Sequence, residues 1–131
     1  MSEILIDHVL LDRVTKAAKE SLRLRMNYNF HESLSSPSQR LLNALEPGTV
    51  LPIHRHRHTA ETYVLLRGRM RVLFYDDDKK EINRYELDPA EGTYGVNIPR
   101  GQWHTIEVLC AGTVIFEVKD GPYIPIVLYF C

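Results

Sequence analysis

The stretch Gly48-Thr49-Val50-Leu51-Pro52-Ile53-His54-Arg55-His56-Arg57-His58-Thr59-Ala60-Glu61-Thr62-Tyr63-Val64-Leu65-Leu66-Arg67-Gly68 decides how this chain is read. His54 and His56 are two apart, so on a β-strand both imidazoles leave from the same face. Glu61 follows a short polar gap and heads a second apolar run, Tyr63 to Leu66. A hairpin that folds the second run onto the first brings Glu61 beside the two histidines. Two neutral imidazoles and a carboxylate suit a first-row divalent metal. A histidine–arginine run standing alone is more often a basic surface loop. The two readings part on whether the rest of the chain supplies a fourth ligand and a pocket.

On the N-terminal side, Gln39 to Leu45 is a strand candidate stopped by Glu46-Pro47-Gly48, and Ser33 to Ser38, with Pro37, reads as a loop. Before it, Leu22, Leu24, Met26, Tyr28 and Phe30 alternate with Arg23, Arg25, Asn27, Asn29 and His31. That period of two fits a half-buried strand. Its polar face either looks into solvent or lines a polar cavity, where the two arginines would hold a carboxylate or phosphate. Residues 7 to 20 carry the helical signal: Val9, Leu10, Val14, Ala17 and Ala18 recur at helical spacing, with Asp7 as N-cap.

On the C-terminal side, Arg69 to Tyr75 and Glu81 to Leu87 are strands joined by a charged tip, Asp76-Asp77-Asp78-Lys79-Lys80. The three aspartates do not make a calcium loop, because the glycine and distal glutamate of an EF-hand are absent. Val96 to Ile98 leads into the turn Pro99-Arg100-Gly101, and Trp103 to Leu109, Thr113 to Lys119 and Tyr123 to Phe130 are further strands. Trp103 points away from His104 on strand parity, toward core or a dimer contact. Many short strands after one helix argue a sandwich or barrel rather than βαβ units. The apolar run Ile124 to Phe130 is either a buried strand or one completed by a second subunit.

At 131 residues, 44% hydrophobic and 25% charged, the chain reads as one globular domain. A net charge of -1 gives no electrostatic case for nucleic acid or an anionic membrane. The first residues lack a basic segment followed by a signal-length apolar core, and no run approaches membrane-spanning length. Two cysteines, Cys110 and Cys131, make no disulfide framework. A cytoplasmic protein is the expectation.

The opening stretch resembles the first motif of the cupin superfamily at every fixed position: Gly48, His54, His56, Glu61 and Gly68 stand at the motif's spacing. The second cupin motif is matched at its centre by Pro99-Arg100-Gly101-Gln102-Trp103-His104. It departs at its ends, where Gly92 lies one residue too far upstream and Val108 stands in place of asparagine. Further blocks resemble the WbuC family of cupin-fold metalloproteins: Ser21-Leu22-Arg23-Leu24-Arg25, Asn29 with His31, Gln39-Arg40-Leu41-Leu42, and Glu117-Val118-Lys119-Asp120-Gly121-Pro122.

The resemblance implies an all-β fold, the cupin double-stranded β-helix or jelly-roll barrel, over residues 21–131, with residues 1–20 forming an N-terminal helix packed on it. It implies that His104 joins His54, His56 and Glu61 around one divalent metal, iron, manganese, nickel, cobalt or zinc. Pocket candidates are Arg23, Arg25, Asn29, His31, Gln39, Arg40, Glu117 and Lys119. His58 shares the parity of the two ligand histidines, but the cupin pattern skips it, so a rim position is expected. The family's association with O-antigen gene clusters implies an enzyme acting on a sugar or nucleotide sugar in surface-polysaccharide biosynthesis, by isomerisation, epimerisation or similar proton transfer. The alternatives are a metal-dependent dioxygenase and a non-catalytic module that binds a sugar or carboxylate. The expected partner is an anionic or sugar-like small molecule, and the expected assembly a homodimer.

Overall fold

In the computed structural model, which describes residues 2–128, Asp7 caps helix α1 (His8–Glu20) by accepting the Leu10 amide at 3.0 Å. The buried stripe of α1 is Leu10, Leu11, Val14, Thr15 and Ala18. It is rotated from the expected one, and Val9 is left exposed. The stripe packs on Leu42, Ala44 and Val114, which point out of the sheet behind it. Arg67 locks the helix down: it donates to Asp12 at 2.8 Å, Thr15 at 2.9 Å and the Gly112 carbonyl at 3.1 Å.

The rest is β structure: β1 (Arg25–Asn29), β2 (Ser38–Leu45), β3 (His54–Arg55), β4 (Glu61–Arg67), β5 (Met70–Tyr75), β6 (Glu81–Leu87), β7 (Gly95–Ile98), β8 (Trp103–Val108), β9 (Thr113–Asp120) and β10 (Val127–Leu128). They form two five-stranded antiparallel sheets, ordered β1-β2-β9-β4-β7 and β10-β3-β8-β5-β6. The sheets face each other over a core of Leu45, Leu65 and Ile115 from the first and Met70, Val72, Phe74 and Ile106 from the second. Inward and outward residues alternate along β2, β4 and β9, as sheet-on-sheet packing requires.

Two strands are shorter than the alternation suggests. β1 begins at Arg25 because Leu24 takes a left-handed φ of 56°, which ends the pleat there and leaves Leu22 exposed. At the C-terminal end only Val127 and Leu128 pair, with Arg55 and His54, and residues 129–130 of the expected strand lie outside the described ones. Trp103 is buried, with Arg55 stacked 4.2 Å over its ring and its indole N–H donating to Asp77 at 2.9 Å. It therefore pins the β5–β6 tip. No described helix is long and apolar enough to cross a membrane.

Gly68 closes the β4–β5 turn with φ of 95°, and a Cβ there would meet Thr113 Cα at 2.6 Å. Gly68→Ala combines left-handed strain with a backbone clash. It is expected to cost roughly 2–4 kcal/mol in urea unfolding. A change within about 0.5 kcal/mol would contradict this packing.

Candidate metal centre

β3 and β8 run side by side, so His54 sits directly opposite His104 in the ladder. Glu61 enters from the other sheet as the first residue of β4. The turn Pro99-Arg100-Gly101 is fastened to the first motif: the Gly101 amide donates to the His56 carbonyl at 2.7 Å. That bond places the start of β8, and with it His104, against the β3–β4 connection. His54, Glu61 and His104 are buried, and their ligand atoms all lie within 4.8 Å of one another. His56 is buried too, with Nε2 3.0 Å from Glu61 Oε1.

Backbone carbonyls set the histidine tautomers. His54 Nδ1 lies 2.8 Å from the Pro52 carbonyl and His104 Nδ1 2.9 Å from the Gln102 carbonyl. A carbonyl only accepts, so each Nδ1 carries the hydrogen and each neutral ring offers a bare Nε2 lone pair. His104 Nε2 then faces Glu61 Oε2 at 3.2 Å. Two acceptors at that separation repel unless a cation lies between them, either a proton on the imidazole or a metal ion. This nitrogen and oxygen donor set, oriented by its Nδ1–H bonds, fits a divalent metal.

Glu61 is supported on both oxygens. Oε2 accepts from the Tyr63 hydroxyl at 3.1 Å, and Lys119 Nζ stands 3.7 Å from Oε1. Burial pushes its carboxyl up, but contacts with His104 and His56 outweigh burial and hold it well below the usual carboxylate range. Burial, reinforced by neighbouring His104, depresses His54 to about 4. Glu117 moves the other way, raised by burial and by the charge of Glu61. Tyr63 is raised well above the ordinary phenol value by burial, Glu61 and Glu117.

The donor cluster opens onto a cavity of about 270 Å³, which His54, His56, Glu61, Tyr63, Glu117 and Lys119 line together with Arg23, Arg25, Asn27 and Asn43. Of the expected pocket residues, Arg23, Arg25, Glu117 and Lys119 reach it. Arg25 is already engaged, donating to the Val50 carbonyl at 2.8 Å. Arg23 is exposed at the edge, with no side-chain partner among the described residues.

Asn29, His31, Gln39 and Arg40 do not line it. β1 ends at Asn29, and His31 turns away to accept the Arg40 amide on Nδ1 at 3.1 Å. Gln39 is buried, donating to the Ser36 carbonyl at 3.1 Å, so it holds the loop before β2. Arg40 alternates with Gln39, lies on the opposite face and is exposed. His58 is half-buried and does not reach the cavity. Asn27 lies on the polar face that the alternation offered to a cavity, whereas Asn43 and Tyr63 were not anticipated there, although Asn43 shares the parity of Leu41 and Leu45, and Tyr63 that of Glu61.

Because His54 titrates near 6.5 when unfolded and near 4 when folded, the unfolded state binds more protons between those values. Metal-stripped protein is therefore expected to lose on the order of 2–3 kcal/mol from this residue as pH falls from about 6.5 to about 4. The raised Glu117 carboxyl acts oppositely, losing stability as pH rises past its unfolded value. Subtracting the unfolding profile of His54→Gln from that of the wild type isolates the histidine. An unchanged slope in the variant would refute the assignment.

No curated protein matches the chain. Among solved structures it is similar to the capsular polysaccharide assembling protein CapF from Staphylococcus aureus, at 21% identity and a TM-score of 0.66, over 80% of this chain and 30% of that one. A mutant of Bacillus subtilis oxalate decarboxylase OxdC aligns at 18% identity and 0.59, over 79% of this chain and 32% of that one. The cupin domain of Schizosaccharomyces pombe Cnp3 aligns at 11% identity and 0.58, over 73% and 64%. The chain thus spans less than a third of the CapF and OxdC chains. These likenesses establish the fold, which is the cupin fold with one N-terminal helix. The matching family model covers residues 6–87, more than half of the sequence, and the chain belongs to that family, described as a domain of unknown function, DUF6016.

Proposed function

We propose that this chain is a divalent-metal-binding cupin of the WbuC type, acting as an enzyme on a sugar or nucleotide sugar in surface-polysaccharide biosynthesis. One observation carries the metal reading. His54 and His104 both commit Nδ1–H to backbone carbonyls, so two bare Nε2 atoms meet the Glu61 carboxylate in a buried space. Burying such acceptors together is unfavourable without a cation. The residues that would hold it are His54, Glu61 and His104, with His56 as fourth ligand on the strength of its approach to Glu61 Oε1. The donor set contains no thiolate, which suits iron, manganese, nickel, cobalt or zinc. When bound, such an ion acts as a Lewis acid that polarises a substrate oxygen.

The chain's own groups supply the rest. Tyr63 and Lys119 hold the Glu61 carboxylate from opposite oxygens and keep it from swinging toward a ligand. Arg23, whose guanidinium has no partner among the described residues, offers it to an anionic group at the cavity edge. At about 270 Å³ the space is at the small end of ligand pockets, so a sugar ring enters while a nucleotide would lie outside. The polysaccharide assignment rests on the WbuC-like sequence blocks and agrees with the description of CapF as a capsular polysaccharide assembling protein.

Elemental analysis of protein purified without added metal is expected to give about one divalent ion per chain. His54→Ala, Glu61→Ala and His104→Ala should each lower metal affinity by about tenfold or more, while His58→Ala should not change it. Retention of full metal by all three variants would sink the metal reading. Zinc alone would disfavour the dioxygenase alternative. A screen of sugar nucleotides in which the metal-loaded protein converts none would overturn the enzymatic assignment and leave the binding module.

A further inference from the structure

The inward face shared by β2, β9 and β4 changes character along its length. At one end it carries Leu45, Ile115 and Leu65, all in the apolar core. At the other it carries Asn43, Glu117, Tyr63, Lys119 and Glu61, with Tyr63 paired to Glu117 and Glu61 to Lys119 across the β4–β9 ladder. Lys119 is directed at Glu61, and no salt bridge reaches Glu117 among the described residues. Glu117 is only 6% exposed. Its one hydrogen-bond partner among the described residues is the Asn43 amide, which donates to Oε1 at 2.9 Å.

A carboxyl buried with a single neutral partner is destabilising, and an apolar residue like its neighbours would pack better there. Asn43 adds to the cost, since its Oδ1 is buried with no partner among the described residues. Glu117 lines the cavity, and its Oε2 has no hydrogen-bond partner among the described residues. The pair therefore presents one anchored oxygen and one free acceptor to whatever enters. In either protonation state that oxygen accepts a hydrogen bond.

We propose that Glu117, held in place by Asn43, is the specificity-determining residue of the cavity. It accepts a hydrogen bond from a ligand hydroxyl and selects a hydroxyl-bearing, sugar-like acid over an acid without hydroxyls. The ligand's anionic group lies toward Arg23 and its hydroxyls toward the Glu117–Asn43 pair. This inference rests on the reading of the cavity as a small-molecule site.

Galactarate and adipate share a six-carbon chain and two carboxylates and differ in four hydroxyls, so they isolate the effect. Calorimetric titration of the purified protein, with metal content measured on the same sample, is expected to show galactarate binding about tenfold more tightly than adipate. Glu117→Leu should erase that preference while adipate affinity stays within about twofold. Glu117→Gln, which retains an acceptor oxygen, should keep most of it. Parallel weakening of both probes in Glu117→Leu would mark a merely structural role and overturn the proposal. So would an undiminished preference in that variant, or binding of neither probe by the wild type. Full metal content in those failures would leave the metal centre standing, whereas loss of metal would strike the reading beneath it.

Discussion

Everything around the cavity answers to one constraint, the carboxylate of Glu61 buried between two sheets. An anion removed from water is costly unless donors or cations replace its hydration. Tyr63 from its own strand and Lys119 from β9 supply donors, while His56 from the β3–β4 connection and His104 from β8 bring ring nitrogens that a shared cation would join to the carboxylate. Because these groups belong to both sheets, satisfying Glu61 also sets where the sheets meet at this end. The opposite end needs no such device, since Leu45, Met70, Val72 and Ile115 close it by apolar packing.

The molecule thus divides its interior between stability and chemistry. The inter-sheet core and the second apolar layer under α1 stabilise the fold. The polar half costs stability, with a buried glutamate, a second buried carboxyl at Glu117 and an Asn43 oxygen that has no partner among the described residues. Polar groups arranged this way mark a site whose binding function outweighs local cost. Fixed imidazole tautomers add to the case, because the Pro52 and Gln102 carbonyls aim both Nε2 atoms before any ligand arrives.

Much of this was legible in the sequence, for reasons that differ by residue. Spacing around a turn puts His54, His56 and Glu61 together, whereas His104 was reached through the resemblance of Pro99-Arg100-Gly101-Gln102-Trp103-His104 to the second cupin motif. The strands mostly fall where alternation puts them. Parity failed where the pleat stops: Leu24 breaks it at one end of β1, and beyond Asn29 the chain turns so that His31 serves the backbone of Arg40. Gln39 was misplaced for another cause, a carbonyl-rich loop that captures its amide. Asn43 carried a signal that went unused, a lone amide at an inward position among leucines. The helical stripe was displaced because Leu11 and Thr15 pack inward with Leu10 and Val14, leaving Val9 outside.

The most direct test of the central claim is metal-edge X-ray absorption on protein purified without added metal. The account predicts nitrogen and oxygen neighbours at about 2.0–2.2 Å with the outer-shell pattern of imidazole rings, lost in His54→Ala and His104→Ala. Sulfur in the first shell, or a spectrum unchanged by both substitutions, would contradict it.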